Sequence, residues 1–222
     1  MAHELEELPL FLLNTVLFPY SPLQLHVFED RYRQMVRECL EFDRPFGVVL
    51  IRAGEEVGGP ADPYMVGTAV RIVKVQTLDN GRLDLLVKGE RRFRVRKIDE
   101  SKPYLVGFVE RVVEIEDEES PRSHAIQTRA REIFQTLIEG VFARQDFNIQ
   151  VVFPPDPVAI SFTMANLLPM DNLEKQRLLE ITDTTERFRE MIPIIERQIL
   201  QAKQTNWYRL TPSDLGEWIQ PN

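Results

Sequence analysis

The side chains that most often hold metals or act as nucleophiles are few and widely separated in this 222-residue chain. Its three histidines, His3, His26 and His124, are far apart in sequence, and Cys39 is its one cysteine. A zinc site needs several imidazoles or thiolates at workable spacing. The sequence therefore predicts no metal site. It predicts a hydrogen-bonded structural role for His26, within a strand, and a buried apolar role for Cys39.

Nucleotide binding and nucleophilic catalysis also lack their motifs. A phosphate-binding loop ends in glycine, lysine and a hydroxyl residue, but Lys88–Glu90 has the wrong order and Gly58–Pro60 has no lysine. A nucleophile needs a base within reach, and Ser161 stands among apolar neighbours with no lysine nearby in sequence. We therefore expect no enzyme activity, no catalytic residue and no cofactor. The alternative, an unrecognised hydrolase, is testable with a serine-reactive probe.

The strongest charged feature is a basic run from Lys88 to Lys97. Strand alternation places Arg92, Arg94 and Arg96 on one face and Arg91, Phe93, Val95 and Lys97 on the other. A nucleic-acid-binding surface needs such a stripe, so an RNA-binding module is the alternative function. Acidic residues on a neighbouring strand would neutralise the arginines. We favour a structural or protein-contact role for the stripe.

The elements that position these residues are mostly strands in the first half of the chain. Strand patterns occur at residues 45–51, 65–77, 82–98 and 104–113. The Asn80-Gly81 pair suits the tight turn of a β-hairpin. One helix is predicted from about Glu29 to Glu41, with its apolar face formed by Phe28, Tyr32, Met35 and Val36. The pattern predicts a small, partly closed β-barrel whose one helix covers an opening.

Helical periodicity replaces the strand pattern after an acidic run that ends at Pro121. We predict helices around 126–142, from Asp156-Pro157 to Leu168, and over 172–181 and 184–204. The predicted domains of this α+β protein are a barrel at 1–115, an acidic linker at 116–122 and a helical bundle at 123–222. Trp207 and Trp218 lie in an aromatic tail, which either packs on the bundle or grips a partner.

Composition and charge limit the classes of partner. The net charge is −8, most of it in the second half, and such a surface repels a phosphate backbone. No apolar run approaches 18 residues, so no membrane-spanning helix is expected. A single cysteine fits a reducing compartment, and the acidic start lacks the order of a secretory signal. We therefore expect a cytoplasmic protein.

Six segments resemble, in order and spacing, motifs of the Lon protease amino-terminal domain family. They are Leu8–Phe11 with Val16–Pro19, Leu23–Met35, Val66–Ile72, Val87–Val95, Leu167–Met170 with Glu174–Glu180, and Thr184–Phe188. In the fourth, Gly89 and Arg92-Phe93 match the family's Gly-x-x-Arg-Phe pattern. Asp30 stands where free-standing members usually have proline, which loosens only the helix start. The resemblance covers about residues 8–205.

This resemblance implies a PUA-like β-barrel followed by a helical bundle, the same shape that the residue patterns predict. It also implies binding of polypeptide without cutting it, because nothing here resembles the family's serine–lysine dyad. We therefore expect a free-standing, non-catalytic module linked to protein quality control or proteolysis, without ATPase and peptidase domains. Any peptidase label would come from the shared domain.

The expected partners are unfolded or degradation-marked polypeptides, or another protein, with RNA disfavoured and no membrane. Phe18, Tyr20, Tyr64 and Met65 stand in predicted turns or at strand ends, where exposed apolar side chains would serve binding. We predict them as contacts near the junction of barrel and bundle. Ordinary packing is the alternative for each, and the sequence leaves the oligomeric state open.

Overall fold

The computed structural model describes residues 5–115, 120–142, 149–151, 153, 155–204 and 219–221. Its strands are β1 (Glu6–Leu13), β2 (Pro22–Val27), β3 (Phe46–Gly54), β4 (Ala61–Pro63), β5 (Val66–Thr77), β6 (Leu83–Asp99), β7 (Val106–Arg111), β8 (Ile149–Val151) and β9 (Ile219–Pro221). Its helices are α1 (Asp30–Glu41), α2 (Pro121–Phe142), α3 (Pro157–Leu167), α4 (Asn172–Glu180) and α5 (Thr184–Gln204). Within these ranges, no helix is long and apolar enough to cross a membrane.

Seven of the described strands form one sheet. Six follow the order β1-β7-β6-β5-β3-β4, and β2 pairs with β6 outside that path. β1 also pairs in parallel with β3, from Leu10 opposite Gly47 to Leu13 opposite Leu50. The first five residues of β3 are all buried, as its nearly continuous apolar run predicts. The combination of a β-sheet with helices is the coarse fold that the sequence predicts.

The predicted hairpin is confirmed between β5 and β6. The two strands pair antiparallel up to Thr77 opposite Leu83. Between them, Asn80 has φ 69° and Gly81 has φ 76°, the left-handed conformations that this dipeptide adopts at low cost. The turn therefore fixes the register of the two longest strands of the sheet.

The buried face of α1 differs from the prediction at one residue. Tyr32, Met35 and Val36 are buried, and so is Cys39. Phe28, however, is 44% exposed, so its assignment to this buried face is wrong. The physical reason is local: the residue before the helix, Glu29, has an extended backbone, so helical periodicity does not extend back to Phe28.

The described contacts divide the chain into two compact units. The first unit comprises Met1–Val113 and Asp171–Glu180; the second comprises Glu114–Met170 and Ile181–Asn222. Helix α4 therefore belongs to the first unit, although the predicted bundle at 123–222 included it. The remaining predicted boundaries stay predictions. Residues 116–119 of the predicted linker, together with Trp207 and Trp218, lie outside the described residues.

Hydrogen bonds from buried side chains to backbone carbonyls hold α4 in the first unit. Gln176 Nε2 donates to the Val66 carbonyl at 3.0 Å, and Arg92 Nη1 donates to the Leu179 carbonyl at 2.6 Å. Leu178 and Leu179 are each 2% exposed. A cationic donor at the last carbonyls of a helix satisfies groups that the helix leaves unpaired and complements its dipole.

The second unit is built around a buried arginine on α5. Arg187 is fully buried; its Nη1 donates to Ser161 Oγ at 2.6 Å, and its Nη2 donates to Glu114 Oε2 at 2.5 Å. The guanidinium also lies 3.9 Å from the centre of the Phe162 ring. At the start of α3, Asp156 accepts from the backbone of Val158 at 3.0 Å, so it caps the helix predicted to begin at Asp156-Pro157. The predicted helical bundle itself stays a prediction.

Candidate functional site

A groove of about 310 Å³ in the first unit runs beside β2. Residues 23–29, consecutive in sequence, form one side of it. The remaining lining comes from the end of β1 and the segment that follows it, from α1 and from the β3–β4 loop: Phe11, Leu13, Thr15, Tyr32, Glu56 and Val57. The sheet thus brings together residues that are far apart in sequence.

The groove has an aromatic floor and an exposed apolar rim. The rings of Phe11 and Tyr32 stack with centroids 4.0 Å apart, and both residues are buried. At the rim, Phe28 is 44% exposed and Val57 is 52% exposed. Concave, mostly apolar surfaces with a few polar groups are typical of binding sites. This arrangement provides an apolar binding surface.

The charged groups that line the groove are carboxylates. Glu29 pairs with Arg31, with 3.1 Å between Oε1 and Nη2, and Glu56 Oε2 accepts from the Asn14 backbone at 3.0 Å. His26 is the third titratable rim residue, and its Nδ1 lies 2.7 Å from Asp84 Oδ1. The hydrogen bond predicted for His26 is thereby confirmed. The rim is acidic.

The phenol on the floor is held in its neutral form. Burial raises the pKa of Tyr32, although the nearby Arg31 guanidinium acts in the opposite direction. The Tyr32 hydroxyl accepts from the Leu12 backbone at 3.4 Å. Tyr32 therefore contributes a neutral surface and a packing contact.

Phe18, the first sequence-predicted contact residue, is buried. It has 0% exposure, and a Cβ at Gly89 would lie 2.4 Å from its carbonyl oxygen. Phe18 is therefore part of the core in this conformation and cannot touch a partner directly. The close approach explains why the motif has glycine at position 89.

The other three predicted contacts lie outside the groove. Tyr20 is 42% exposed and has φ 67°; Met65 is 49% exposed, and Tyr64 is half-buried. The Tyr20 N–H donates to the Gly89 carbonyl, and the Met65 carbonyl accepts from the Val95 N–H. Gly89 and Val95 both lie on β6, six residues apart. Six residues of strand span about 20 Å. The predicted contacts therefore do not form one patch.

The three arginines do not form a basic stripe on the surface. Arg92 is 2% exposed and donates to α4, as described above, and Arg94 is half-buried. Arg96 is exposed and ion-paired with Glu110 on β7. Neutralisation by a neighbouring strand was predicted, and for Arg96 it is confirmed. The premise of the RNA-binding alternative, a continuous exposed stripe, is absent from these residues.

Neither metal ligands nor a reactive thiol is assembled in the parts of the chain that the structure describes. Within them, no group of three or more His, Cys, Asp or Glu side chains is placed to hold a metal ion. Cys39 is buried, as predicted, and burial raises the pKa of its thiol to about 11. A thiol in this environment is a poor nucleophile at neutral pH.

Sequence reasoning missed the groove because its residues carry no local signal. Val57 stands in a loop with Gly58 and Gly59, where exposure of a single valine is unremarkable in sequence. Phe11 and Leu13 look like ordinary core residues. A cluster of this kind is recognisable only after the pairing of β2 with β6 is known.

A family model and the similar known proteins all indicate the same domain family. Residues 7–197 match the family model described as the ATP-dependent protease La (LON) substrate-binding domain. The chain is 29% identical over 200 residues to a Lon protease of Syntrophus aciditrophicus, which covers 86% of this chain and 25% of the relative. It is 30% identical over 199 residues to Lon protease 2 of Myxococcus xanthus, covering 87% of this chain and 24% of the relative. The chain thus spans about a quarter of these relatives.

Two solved structures are also similar. The crystal structure of a Lon N-terminal domain protein from Xanthomonas campestris has 28% identity and a TM-score of 0.62, covering 85% of this chain and 98% of that one. The N-terminal domain of the Mycobacterium avium complex Lon protease has 19% identity and a TM-score of 0.64, covering 86% and 98%. The second likeness concerns the fold alone.

Proposed function

Because the chain belongs to the ATP-dependent protease La (LON) substrate-binding domain family, we propose that it recognises polypeptide substrates for Lon-type proteolysis without cleaving them. The substrates in this proposal are unfolded or degradation-marked proteins. The matched segments cover about a quarter of the Lon proteases named above. A recognition role for this segment requires an accessible apolar surface, because unfolded chains expose apolar side chains.

The observation that carries the proposal is the groove beside β2. It combines a buried aromatic floor with exposed Phe28 and Val57 at its rim. Exposed apolar side chains that line a concave surface are typical of interaction sites. Tyr20 and Met65 remain candidate contacts outside the groove, since both are exposed.

The finer architecture belongs to the same proposal. We propose a PUA-like, partly closed barrel, supported by the pairing of β1 with both β3 and β7. We also propose a helical bundle in the second unit, supported by the burial of Phe134, Phe188 and Ile195 on α2 and α5. A cytoplasmic location is supported by the single cysteine.

The test is a titration of the whole protein with a fluorescently labelled, permanently unfolded polypeptide. We expect saturable binding in the micromolar range. Val57→Asn should weaken it about tenfold, because an amide placed in an apolar contact without a hydrogen-bond partner costs about 1–3 kcal/mol. Val73→Asn is the matched control, since Val73 is 60% exposed on β5, away from the groove lining.

A second pair of variants separates the groove from general surface hydrophobicity. Phe28 lines the groove, whereas Phe42, 58% exposed, follows the end of α1. Phe28→Ala should weaken binding and Phe42→Ala should not. Absence of saturable binding up to high micromolar concentrations would contradict the proposed function, and equal losses in both variants would contradict the assignment of the site.

A further inference from the structure

We propose that the groove takes its polypeptide by strand addition, with an extended segment pairing along the free edge of β2. The occupant is a segment whose alternate side chains are apolar and which carries at least one lysine or arginine. This inference rests on the proposed function and specifies the backbone conformation and charge of the substrate. In this binding mode main-chain hydrogen bonds supply affinity, and pockets for alternate side chains supply selectivity.

The pairing of β2 identifies which of its backbone groups point outward. Among the described strands, β2 pairs with β6 alone, with Leu23 opposite Val87 and Leu25 opposite Leu85. Just before β2, the Gly89 backbone donates to the Ser21 carbonyl at 2.9 Å, in the same register. Hydrogen-bonded pairs alternate along an antiparallel ladder. Leu23 and Leu25 therefore bond towards β6.

It follows that the residues that alternate with these leucines present their backbone to the free edge. Gln24 and His26 each offer one outward N–H and one outward carbonyl. Pro22 offers a carbonyl only, because proline has no N–H. The edge is six residues long, which corresponds to about 20 Å of strand. A pairing segment of about six residues fits this length.

The edge of β2 lacks the protection that other edges in the first unit carry. Natural proteins guard exposed edges with charges, bulges, prolines or very short strands. The part of β5 beyond Val70 contains Arg71 and Lys74 and has a bulge between Ile72 and Lys74. β4 is only three residues long and ends at Pro63. In β2 the sequence has no Lys, Arg, Asp or Glu, and its one proline, Pro22, is the first residue, so the edge from Leu23 to Val27 has neither charge nor proline.

The surroundings of this edge determine the chemistry of its occupant. Side chains of a pairing strand that point inward would meet the floor formed by Phe11 and Tyr32. Among the lining residues the acidic side chains are Glu56 and Glu29, which is paired with Arg31, and no lysine or arginine lines the groove. A basic substrate segment complements this rim. A second copy of this chain, with its net charge of −8, would bring carboxylates against carboxylates.

The experiment measures fluorescence anisotropy of a labelled eight-residue peptide of alternating valine and threonine with a lysine at each end. Gln24→Pro removes one outward N–H and keeps the bonds towards β6, which proline tolerates on an edge strand. We expect it to weaken binding at least about fivefold, the effect of one backbone hydrogen bond with added steric hindrance. Gln24→Ala retains the N–H and should remain within about twofold of the native affinity.

A second measurement requires no protein variant. The same peptide, N-methylated at alternate amides, keeps its side chains but cannot complete a ladder. The native protein should bind it at least about tenfold more weakly, because several hydrogen bonds are lost together. This measurement decides the matter if Gln24→Pro lowers the thermal stability of the protein. Replacing both lysines of the peptide with glutamate should also weaken binding.

The outcomes separate this inference from the proposed function. Equal binding of the unmodified and N-methylated peptides, with loss of binding in Val57→Asn, would overturn strand addition and leave polypeptide recognition intact. No binding of the peptide or of an unfolded polypeptide would overturn both. A concentration-dependent dimer that Gln24→Pro abolishes, without peptide binding, would show that the edge pairs with another copy and would also overturn the inference.

Discussion

Arg92 carries its charge inside the first unit, where it joins β6 to α4. Its guanidinium donates to the Leu179 carbonyl in the last turn of the helix, and its side chain is 2% exposed. Phe93, the next residue, is also fully buried, on the opposite face of the strand. Both faces of β6 are therefore covered at this point. The hydrogen bond to the Leu179 carbonyl offsets part of the cost of burying the Arg92 guanidinium.

Replacement of Arg92 should destabilise the protein far more than replacement of its neighbour in the predicted stripe. Arg92→Met removes a charged hydrogen bond and leaves a buried carbonyl unsatisfied, so we expect a loss of about 1–3 kcal/mol in the free energy of unfolding. Arg94 is half-buried, and Arg94→Met should cost less than about 0.5 kcal/mol. Urea denaturation followed by circular dichroism measures both. Equal losses would contradict the role assigned to Arg92.

Alternation along the sequence predicts that Arg92 and Phe93 lie on opposite faces of β6. It does not predict that Arg92 is buried. The pattern separates the two faces of a strand, and a charged face is normally assigned to solvent. Burial of that face depends on α4, whose Leu179 is 87 residues away in sequence and whose docking has no local signature. Local features were more predictable: Asp171 and Glu174 form the reciprocal capping box that their spacing predicts.

At the scale of elements, a polar cluster ties α1 to the segment before β7. Glu38 Oε2 accepts from Lys102 Nζ at 2.8 Å and from the Tyr104 hydroxyl at 2.6 Å. These hydrogen bonds lower the pKa of Glu38 to about 2, and the bond from Lys102 has the largest effect. The same contacts raise the pKa of Lys102, with the Glu38 hydrogen bond as the main cause. The helix that packs against the sheet is thus fastened at its carboxyl-terminal half by a pH-dependent contact.

Acid should therefore weaken this attachment within a definable range. The ionised form of Glu38 is favoured in the folded state, so its stabilisation is complete above the ordinary pKa of 4.5 and is lost as pH falls towards about 2. At pH 7, Glu38→Gln should lower Tm by at most about 4 °C, since partly exposed ion pairs contribute about 1 kcal/mol or less. The difference from the native protein should shrink towards zero near pH 2.

Thermal unfolding curves of both proteins between pH 2 and 7 provide the measurement. Glu41→Gln is the matched control, because Glu41 is exposed at the end of the same helix. Its Tm difference from the native protein should stay constant over this range. A Glu38→Gln difference that also remains constant down to pH 2 would show that the cluster does not stabilise α1.

At the scale of the whole molecule, the chain leaves the first unit, forms part of the second and returns for one helix. Residues 171–180 pack with 1–113, although they stand between α3 and α5 in sequence. Helical periodicity located α4 correctly but could not show which half of the protein covers its buried face, because Leu178 and Leu179 would suit either core. The partners of α4, among them Val66 and Arg92, decide it.

The two units should therefore respond separately to cavities made in α4 and in α2. Leu178→Ala and Leu137→Ala each truncate a leucine that is 2% exposed, one in each unit, and each should cost about 2–5 kcal/mol in local stability. Hydrogen exchange followed by mass spectrometry reports where protection is lost. Leu178→Ala should accelerate exchange in β5 and β6 and leave α2 protected. Leu137→Ala should do the reverse. Faster exchange in α2 and α5 after Leu178→Ala, with β5 and β6 unchanged, would assign α4 to the second unit and remove the reason for the burial of Arg92.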